Sequence, residues 1–213
     1  MSKLRLRISL SLDGFVAGPN QSLQEPLGHG GERLHEWVIA LETWRRAHGM
    51  ADGEVNESTA VMERELVNIG ATIMGRNMFG GGRGPWNTTD PWNGWWGRNP
   101  PFHHSVFVLT HHAREPLTME GGTTFTFVTD GIESALEQAR RAAGGKDVAL
   151  SGGAQAAQQY LKAGLVDEMQ LHLVPTLLGG GERLFDGVDD LHGLVLVETV
   201  ATPNVTHLKF ARK

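Results

Sequence analysis

Two short apolar runs in this chain stop at glycine and pass directly into helix-like sequence, and that repeated junction constrains the fold more than any other feature. Ala71-Thr72-Ile73-Met74 leads into Gly75-Arg76, and the run over 147–150 leads into Ser151-Gly152-Gly153 and a helix predicted over 154–162. Short apolar runs without polar alternation, bounded by turn residues, read as buried strands. A buried strand that feeds a helix belongs to a sheet covered on its faces. The remaining pattern agrees. Leu4, Leu6, Ile8, Leu10 and Leu12 alternate with Lys3, Arg5, Arg7, Ser9 and Ser11, a period of two that predicts a strand with one buried face. Further strands are predicted at 105–110, 123–129 and 167–178, the last interrupted by Pro175, and at 194–201 and 205–211 around a turn at Pro203-Asn204.

Helices are predicted over 33–46, from the stripe Leu34, Trp37, Val38, Leu41 and Trp44, and over 58–68 with Ser58 as N-cap. A third starts at Asp130, with Glu133 at capping-box spacing, and leads to its own strand at 147–150. Strands that alternate with helices and finish in a strand pair predict one α/β domain over 1–213, a mixed sheet with an antiparallel edge. The segment from Gly80 to Pro101 has no period and is long for an unstructured loop, so it is either functional or a cover.

Composition removes several function classes. No cysteine is present, which excludes a disulfide scaffold, a thiolate zinc site and a cysteine nucleophile. The 28 glycines follow no Gly-X-Y period and come with only 9 prolines, so collagen and low-complexity disorder are excluded. A formal net charge of −5 without a Lys/Arg cluster argues against nucleic acid. No run of 18 apolar residues and no apolar block near the start exist, so no membrane span or signal peptide is expected, and a cytoplasmic location is the default expectation.

The junctions themselves suggest chemistry. The start of a helix offers unpaired N–H groups and partial positive charge, glycine admits close approach of an anion, and Arg76 adds a planar cationic fork. Two such junctions on one sheet suit the two ends of a dinucleotide; tight turns without a ligand are the alternative. Neither junction is GxGxxG or the phosphate-loop pattern. Thr110-His111-His112 with Arg114 ends the strand at 105–110, a basic and hydroxyl set that favours a 2′-phosphate over a bare ribose diol. His103-His104 and His111-His112 lie at opposite ends of that strand, roughly 23 Å apart at strand rise, so they cannot share an ion and no metal is expected. Trp86, Trp92, Trp95 and Trp96 either cover core or stack on a flat ligand. Glu182-Arg183 is a surface pair or a site edge.

Together, Ser11-Leu12-Asp13-Gly14-Phe15-Val16-Ala17-Gly18, Met74-Gly75-Arg76, Val108-Leu109-Thr110, Gly152-Gly153-Ala154, Leu165-Val166-Asp167-Glu168 and Pro175 through Phe185 stand in a familiar order. The chain resembles the dihydrofolate-reductase-like superfamily from Leu4 to Lys209, most closely the reductase domain of the riboflavin-biosynthesis deaminase-reductase. The resemblance implies a mixed sheet flanked by helices and NADPH as cofactor. It implies Gly75, Arg76, Asn77 and Met78 beside the adenosine and phosphate, and Leu109, Thr110 and His111 at the adenine ribose and 2′-phosphate. Gly152, Gly153, Ala154 and Gln155 would take the pyrophosphate, with Ser151 adding a hydroxyl where a third glycine is frequent. Val16 and Ala17 would meet the nicotinamide ribose. Asp13 would stand next to the substrate, to orient it or relay a proton, or serve only as a turn residue.

The departures are equally informative. The riboflavin enzyme's zinc deaminase domain carries paired cysteines, so only its reductase half is expected here. The Trp-rich segment 80–103 is longer than a minimal reductase needs and would reshape the substrate pocket. None of Glu32, Glu36 and Glu42 aligns with the helix carboxylate of the folate enzymes. The expected activity is an NADPH-dependent reductase acting on a small heterocyclic or imine/carbonyl substrate, similar to 5-amino-6-(5-phosphoribosylamino)uracil reductase and working as a homodimer. The alternative is a non-catalytic NADP(H)-binding or regulatory protein that kept the cofactor cradle.

Overall fold

Strand β1 (Leu4–Ser11) runs near the centre of the sheet, and both of its faces are covered. Leu4, Leu6 and Leu10 point into the main apolar core, while Ser9 and Ser11 on the other face are buried as well. The period of two therefore marks two different buried environments. Ser9 is buried because its hydroxyl accepts the indole N–H of Trp37 at 3.2 Å.

The computed structural model describes residues 2–82 and 84–213. After β1 come β2 (Phe15–Ala17), α1 (Glu36–Ile39), α2 (Glu42–Ala47), α3 (Glu57–Leu66), β3 (Ile69–Gly75), α4 (Arg76–Phe79), β4 (Ser105–Leu109), β5 (Leu117–Thr118) and β6 (Thr124–Val128). The chain continues through α5 (Ile132–Ala143), β7 (Asp147–Leu150), α6 (Ala154–Lys162), β8 (Glu168–Val174), β9 (Glu182–Arg183), β10 (Leu194–Ala201) and β11 (Thr206–Arg212). Nine strands form one mixed sheet in the order β10-β11-β8-β1-β7-β3-β4-β6-β5, and β2 pairs with β9 separately. From β8 to β6 the neighbours run parallel; β11 and β10 at one edge and β5 at the other run antiparallel. The expected α/β architecture with an antiparallel C-terminal pair is the one observed. Among the described residues, no helix is long and apolar enough to cross a membrane.

Several local expectations are corrected. The helix predicted over 33–46 is three short pieces: a 3-10 turn (Gly31–Leu34), α1 and α2. Leu41 turns extended between them because the chain there bridges to Glu54, with Glu42 N–H on the Glu54 carbonyl at 2.9 Å and Glu54 N–H on the Ala40 carbonyl at 2.8 Å. Helix α3 is capped by Asn56 in a capping box with Thr59, not by Ser58. Helix α5 starts from Gly131, which takes the N-cap position with a positive φ and has no side chain to cap with, while the Asp130 carboxylate accepts the Thr129 hydroxyl. The strand predicted to 178 ends at Val174, before Pro175, which has no N–H for the ladder.

Ser58, freed from capping, anchors a buried polar chain. Its hydroxyl lies 2.9 Å from His207 Nε2, His207 Nδ1 lies 2.8 Å from His172 Nδ1, and His172 Nε2 lies 3.5 Å from Glu65 Oε2. Trp37 packs on both imidazoles. Burial, then the neighbouring His172, pushes the His207 imidazole down to about 4, so the fold holds it neutral. The unfolded chain binds a proton there near the ordinary 6.5, which makes stability fall as pH drops from about 6.5 towards 4. Thermal unfolding followed from about pH 7.5 down to 4.5 should show a decreasing midpoint, and His207→Gln should flatten that decrease. An identical slope in the variant would assign the acid sensitivity to other groups.

Candidate functional site

The parallel strands end together, and a cavity of about 680 Å³ opens beyond their carboxyl ends. That is where open α/β sheets bind ligands, because strand-to-helix turns there present backbone groups rather than side chains. Gly75 closes β3 and Leu109 closes β4, and both line the cavity beside Thr110, Val128 and Thr129. The second junction lies next to the first, because β3 pairs directly with β7. Gly75 N–H donates to the Gly152 carbonyl at 2.6 Å, and Ser151 N–H donates to the Ile73 carbonyl at 3.0 Å. A Cβ on Gly75 would meet the Ala156 Cβ at 3.3 Å, so glycine lets α6 descend onto the strand ends. The Gly152-Gly153 peptide is cis.

The two junctions open helices of very different length. Beyond Gly152-Gly153 the nine residues of α6 run over the sheet, and its first N–H groups have no intrahelical partners. Beyond Gly75 only the single turn α4 forms before Gly80 takes a positive φ of 86°. Arg76 bends back over that turn, donating Nε to the Gly80 carbonyl at 3.1 Å and Nη2 to the Gly81 carbonyl at 3.3 Å. Burial, with Arg114 adding repulsion, pushes its guanidinium down to about 10. Three buried polar atoms on cavity-lining residues have no partner among the described residues: Arg76 Nη1, Ser151 Oγ and His35 Nδ1, the first two being donors at the junctions. Buried groups of this kind are rare unless something else satisfies them.

The sequence assigned fourteen residues to cofactor binding, and the fold brings all of them onto the wall of this one cavity: Val16, Ala17, Gly75, Arg76, Asn77, Met78, Leu109, Thr110, His111, Ser151, Gly152, Gly153, Ala154 and Gln155. Asp13 lies outside that wall. Its carboxylate accepts the Gly179 N–H at 2.7 Å and the Leu178 N–H at 3.2 Å, and its carbonyl accepts Arg183 Nη1 at 3.1 Å. Asp13 thereby pins the β1–β2 turn to the loop before β9. Gly181 lets β9 press against β2, since a Cβ there would collide with the Ala17 carbonyl and its φ is +118°. Glu182 of β9 reaches the cavity wall, so the pair read as surface or site edge splits: Glu182 edges the site, while Arg183 stacks on Phe15 at 4.4 Å.

Other wall residues were invisible in sequence. Gln21, His35 and Gln159 reach it from the long first loop, the turn before α1 and α6, and no local motif marks them. The tryptophans take both roles: Trp95 and Trp96 line the cavity, while Trp86, Trp92 and also Trp96 pack with the Phe79, Phe125 and Phe127 cluster as cover. Among the described residues, no three His, Cys, Asp or Glu side chains gather as a metal site.

Residues 2–208 match the RibD C-terminal domain family. The chain belongs to that family. The match covers the sheet up to the start of β11, both junctions and β9, so the cavity described above is the cavity of a RibD C-terminal domain. A curated relative, the uncharacterized protein YyaP of Bacillus subtilis (strain 168), is 36% identical over 73 residues, which is 34% of this chain and 38% of that protein. Three solved structures share the fold. One is a protein from Shewanella sp. PV-4 provisionally assigned to riboflavin biosynthesis, with TM-score 0.58, 21% identity and 99% coverage of both chains. Another is the deaminase/5-amino-6-(5-phosphoribosylamino)uracil reductase of Thermotoga maritima, with TM-score 0.56 and 14% identity, covering all of this chain and 57% of that one. The third is dihydrofolate reductase from Enterococcus faecalis in complex with NADP(H), with TM-score 0.53, 13% identity and coverage of 99% and 96%. The dihydrofolate-reductase-like fold expected from the sequence is therefore the fold of this RibD C-terminal domain.

The role of Asp13 as a pin is open to titration. The Ser11 hydroxyl, with the Gly179 and Leu178 N–H groups, holds its carboxyl down to about 2 from an ordinary 3.8. A depressed carboxylate stabilises the fold above its unfolded pKa, and that contribution disappears as pH falls from about 4 to about 2. Asp13→Asn is expected to lower the unfolding midpoint at neutral pH, with the gap to the wild type narrowing across that acid window. A gap that persists unchanged at the acid end would show that the charge is not what pins the turn.

Proposed function

We propose that this chain is an NADPH-dependent reductase that passes hydride to a small heterocyclic or imine/carbonyl substrate, in a reaction similar to that of 5-amino-6-(5-phosphoribosylamino)uracil reductase. One observation carries the reading. Two orphaned donors, Arg76 Nη1 and Ser151 Oγ, belong to the same wall as the glycine floor and the start of α6, a donor set that suits phosphate oxygens. NADPH, when bound, supplies the hydride; the protein supplies position and electrostatics.

In this reading Gly152, Gly153, Ala154 and Gln155 hold the pyrophosphate with backbone N–H groups, and Ser151 adds its hydroxyl. Arg76, Thr110 and His111 receive the adenine ribose and its 2′-phosphate, with Asn77, Met78 and Leu109 beside the adenosine. Val16 and Ala17 close the nicotinamide end. Asp13 acts there as a positioning residue, since it fixes the turn that carries Val16 and Ala17. Ile8, Leu27 and Trp95 add apolar surface to the same cavity, which suits a flat, small molecule. The protein works in the cytoplasm and pairs with a second copy, a proposal supported by Leu196 and Val197, about half exposed on the edge strand β10.

Titration of NADPH and NADH tests the cofactor assignment. Arg76→Ala is expected to weaken NADPH binding by about 10- to 100-fold, the worth of a charge-assisted hydrogen bond, and to leave NADH within about twofold. Equal losses for both nucleotides would remove the phosphate role. NADPH consumption over pteridines, flavin precursors and quinones then tests turnover. Tight binding without turnover on any of them would favour a non-catalytic NADP(H)-binding protein.

A further inference from the structure

The segment 80–103 holds a structure that the reductase reading leaves unused. Trp86 is absent from the cavity wall, yet it is clamped: its indole N–H donates to the His112 carbonyl at 2.8 Å, and Phe79 and Phe127 meet its ring edge-on at 5.8 and 5.0 Å. The Arg76 guanidinium lies on its face, with Cζ 3.1 Å from the ring centroid. Arg114 Cζ stands 5.1 Å from the same ring, and its guanidinium donates to the Trp92 carbonyl and to Asn93 Oδ1. Two guanidinium groups thus share one indole, and neither forms an ion pair with a carboxylate among the described residues.

This arrangement is costly unless an anion completes it. Like charges close together in a part-buried site repel, and the indole face offsets only part of that repulsion. The arrangement also removes freedom from Arg76. The ring blocks one face of its guanidinium, and the Gly80 and Gly81 carbonyls take Nε and Nη2, which leaves Nη1 as the donor without a partner. A planar fork locked in this way loses little entropy when it binds an anion. Through its bond to the His112 carbonyl, Trp86 also ties this cation to the Thr110–His112 strand end across the cavity corner.

We propose that Trp86 is the positioning residue for nucleotide choice: it holds the Arg76 guanidinium in one orientation and thereby makes this chain prefer a 2′-phosphorylated adenine nucleotide without touching it. The inference rests on the reading of the cavity as an NADPH site. It assigns the Trp-rich segment a role in cofactor selection through Trp86, which does not itself line the cavity, whereas Trp95 and Trp96 do.

The experiment is calorimetric binding of four probes, NADPH, NADH, 2′,5′-ADP and AMP, to the full chain and its variants. Trp86→Leu removes the aromatic face and should weaken NADPH and 2′,5′-ADP about tenfold, with NADH and AMP within about twofold, as expected for loss of one cation–π contact. Trp86→Phe keeps a smaller face and should give an intermediate preference, which serves as the test if the leucine variant does not fold. In an Arg76→Ala background neither substitution should change the preference further, because Trp86 acts only through that guanidinium. Equal weakening of all four probes, or a preference that survives loss of the ring, would overturn the proposal and make Trp86 simple cover. A wild type that binds neither NADPH nor 2′,5′-ADP would instead overturn the NADPH reading itself.

Discussion

The hydrogen bond from Gly75 N–H to the Gly152 carbonyl, at 2.6 Å, is the contact on which the rest of this architecture depends. It brings together the ends of two adjacent parallel strands at a point where neither carries a side chain. Because no Cβ intervenes, α6 can settle with Ala156 against Gly75, and the space beyond the strand ends is floored by backbone. A sheet built this way concentrates hydrogen-bond donors at one edge of its parallel section. The wall residues from β2, β4 and β6 then converge on that floor because they close over the same strand ends.

Around the floor, charge is distributed unevenly. The corner at Arg76 and Arg114 carries two guanidinium groups without carboxylate partners among the described residues, held by aromatic faces and carbonyls. Outside the cavity wall, Asp13 commits its carboxylate to backbone N–H groups of the loop before β9. The two arginines thus keep their charge without a carboxylate, whereas Asp13 has its charge taken up by backbone donors. In the proposed reading, that asymmetry would orient a ligand that is anionic at one terminus.

Much of the fold was readable because buried strands and amphipathic helices leave local patterns. The runs at 71–74, 105–110 and 147–150 and the helices α5 and α6 fall, to within a residue or two, where apolar content and glycine punctuation put them. The errors lie where a distant residue changed the local choice. Leu41 looked helical because its stripe partners Trp37 and Val38 are, yet the bridge to Glu54 breaks the helix there. Ser58 looked like a cap because serine caps well, but buried His207 claimed its hydroxyl. The two-residue strands β5 and β9 carry too few residues for any period to show.

For the site, the sequence by itself determined which backbone positions are bare, where the basic and hydroxyl residues stand along the chain, and the family to which the motifs belong. Those are properties of neighbouring residues, and periodicity and glycine placement encode them directly. Only the tertiary structure decided that fourteen scattered residues share one cavity, that Asp13 faces a loop and not that cavity, and that Trp86 lies on Arg76. Each of those facts depends on how strands from different parts of the chain are ordered in the sheet. No short stretch of sequence contains that order, because it is set by how the whole set of apolar faces can be buried at once.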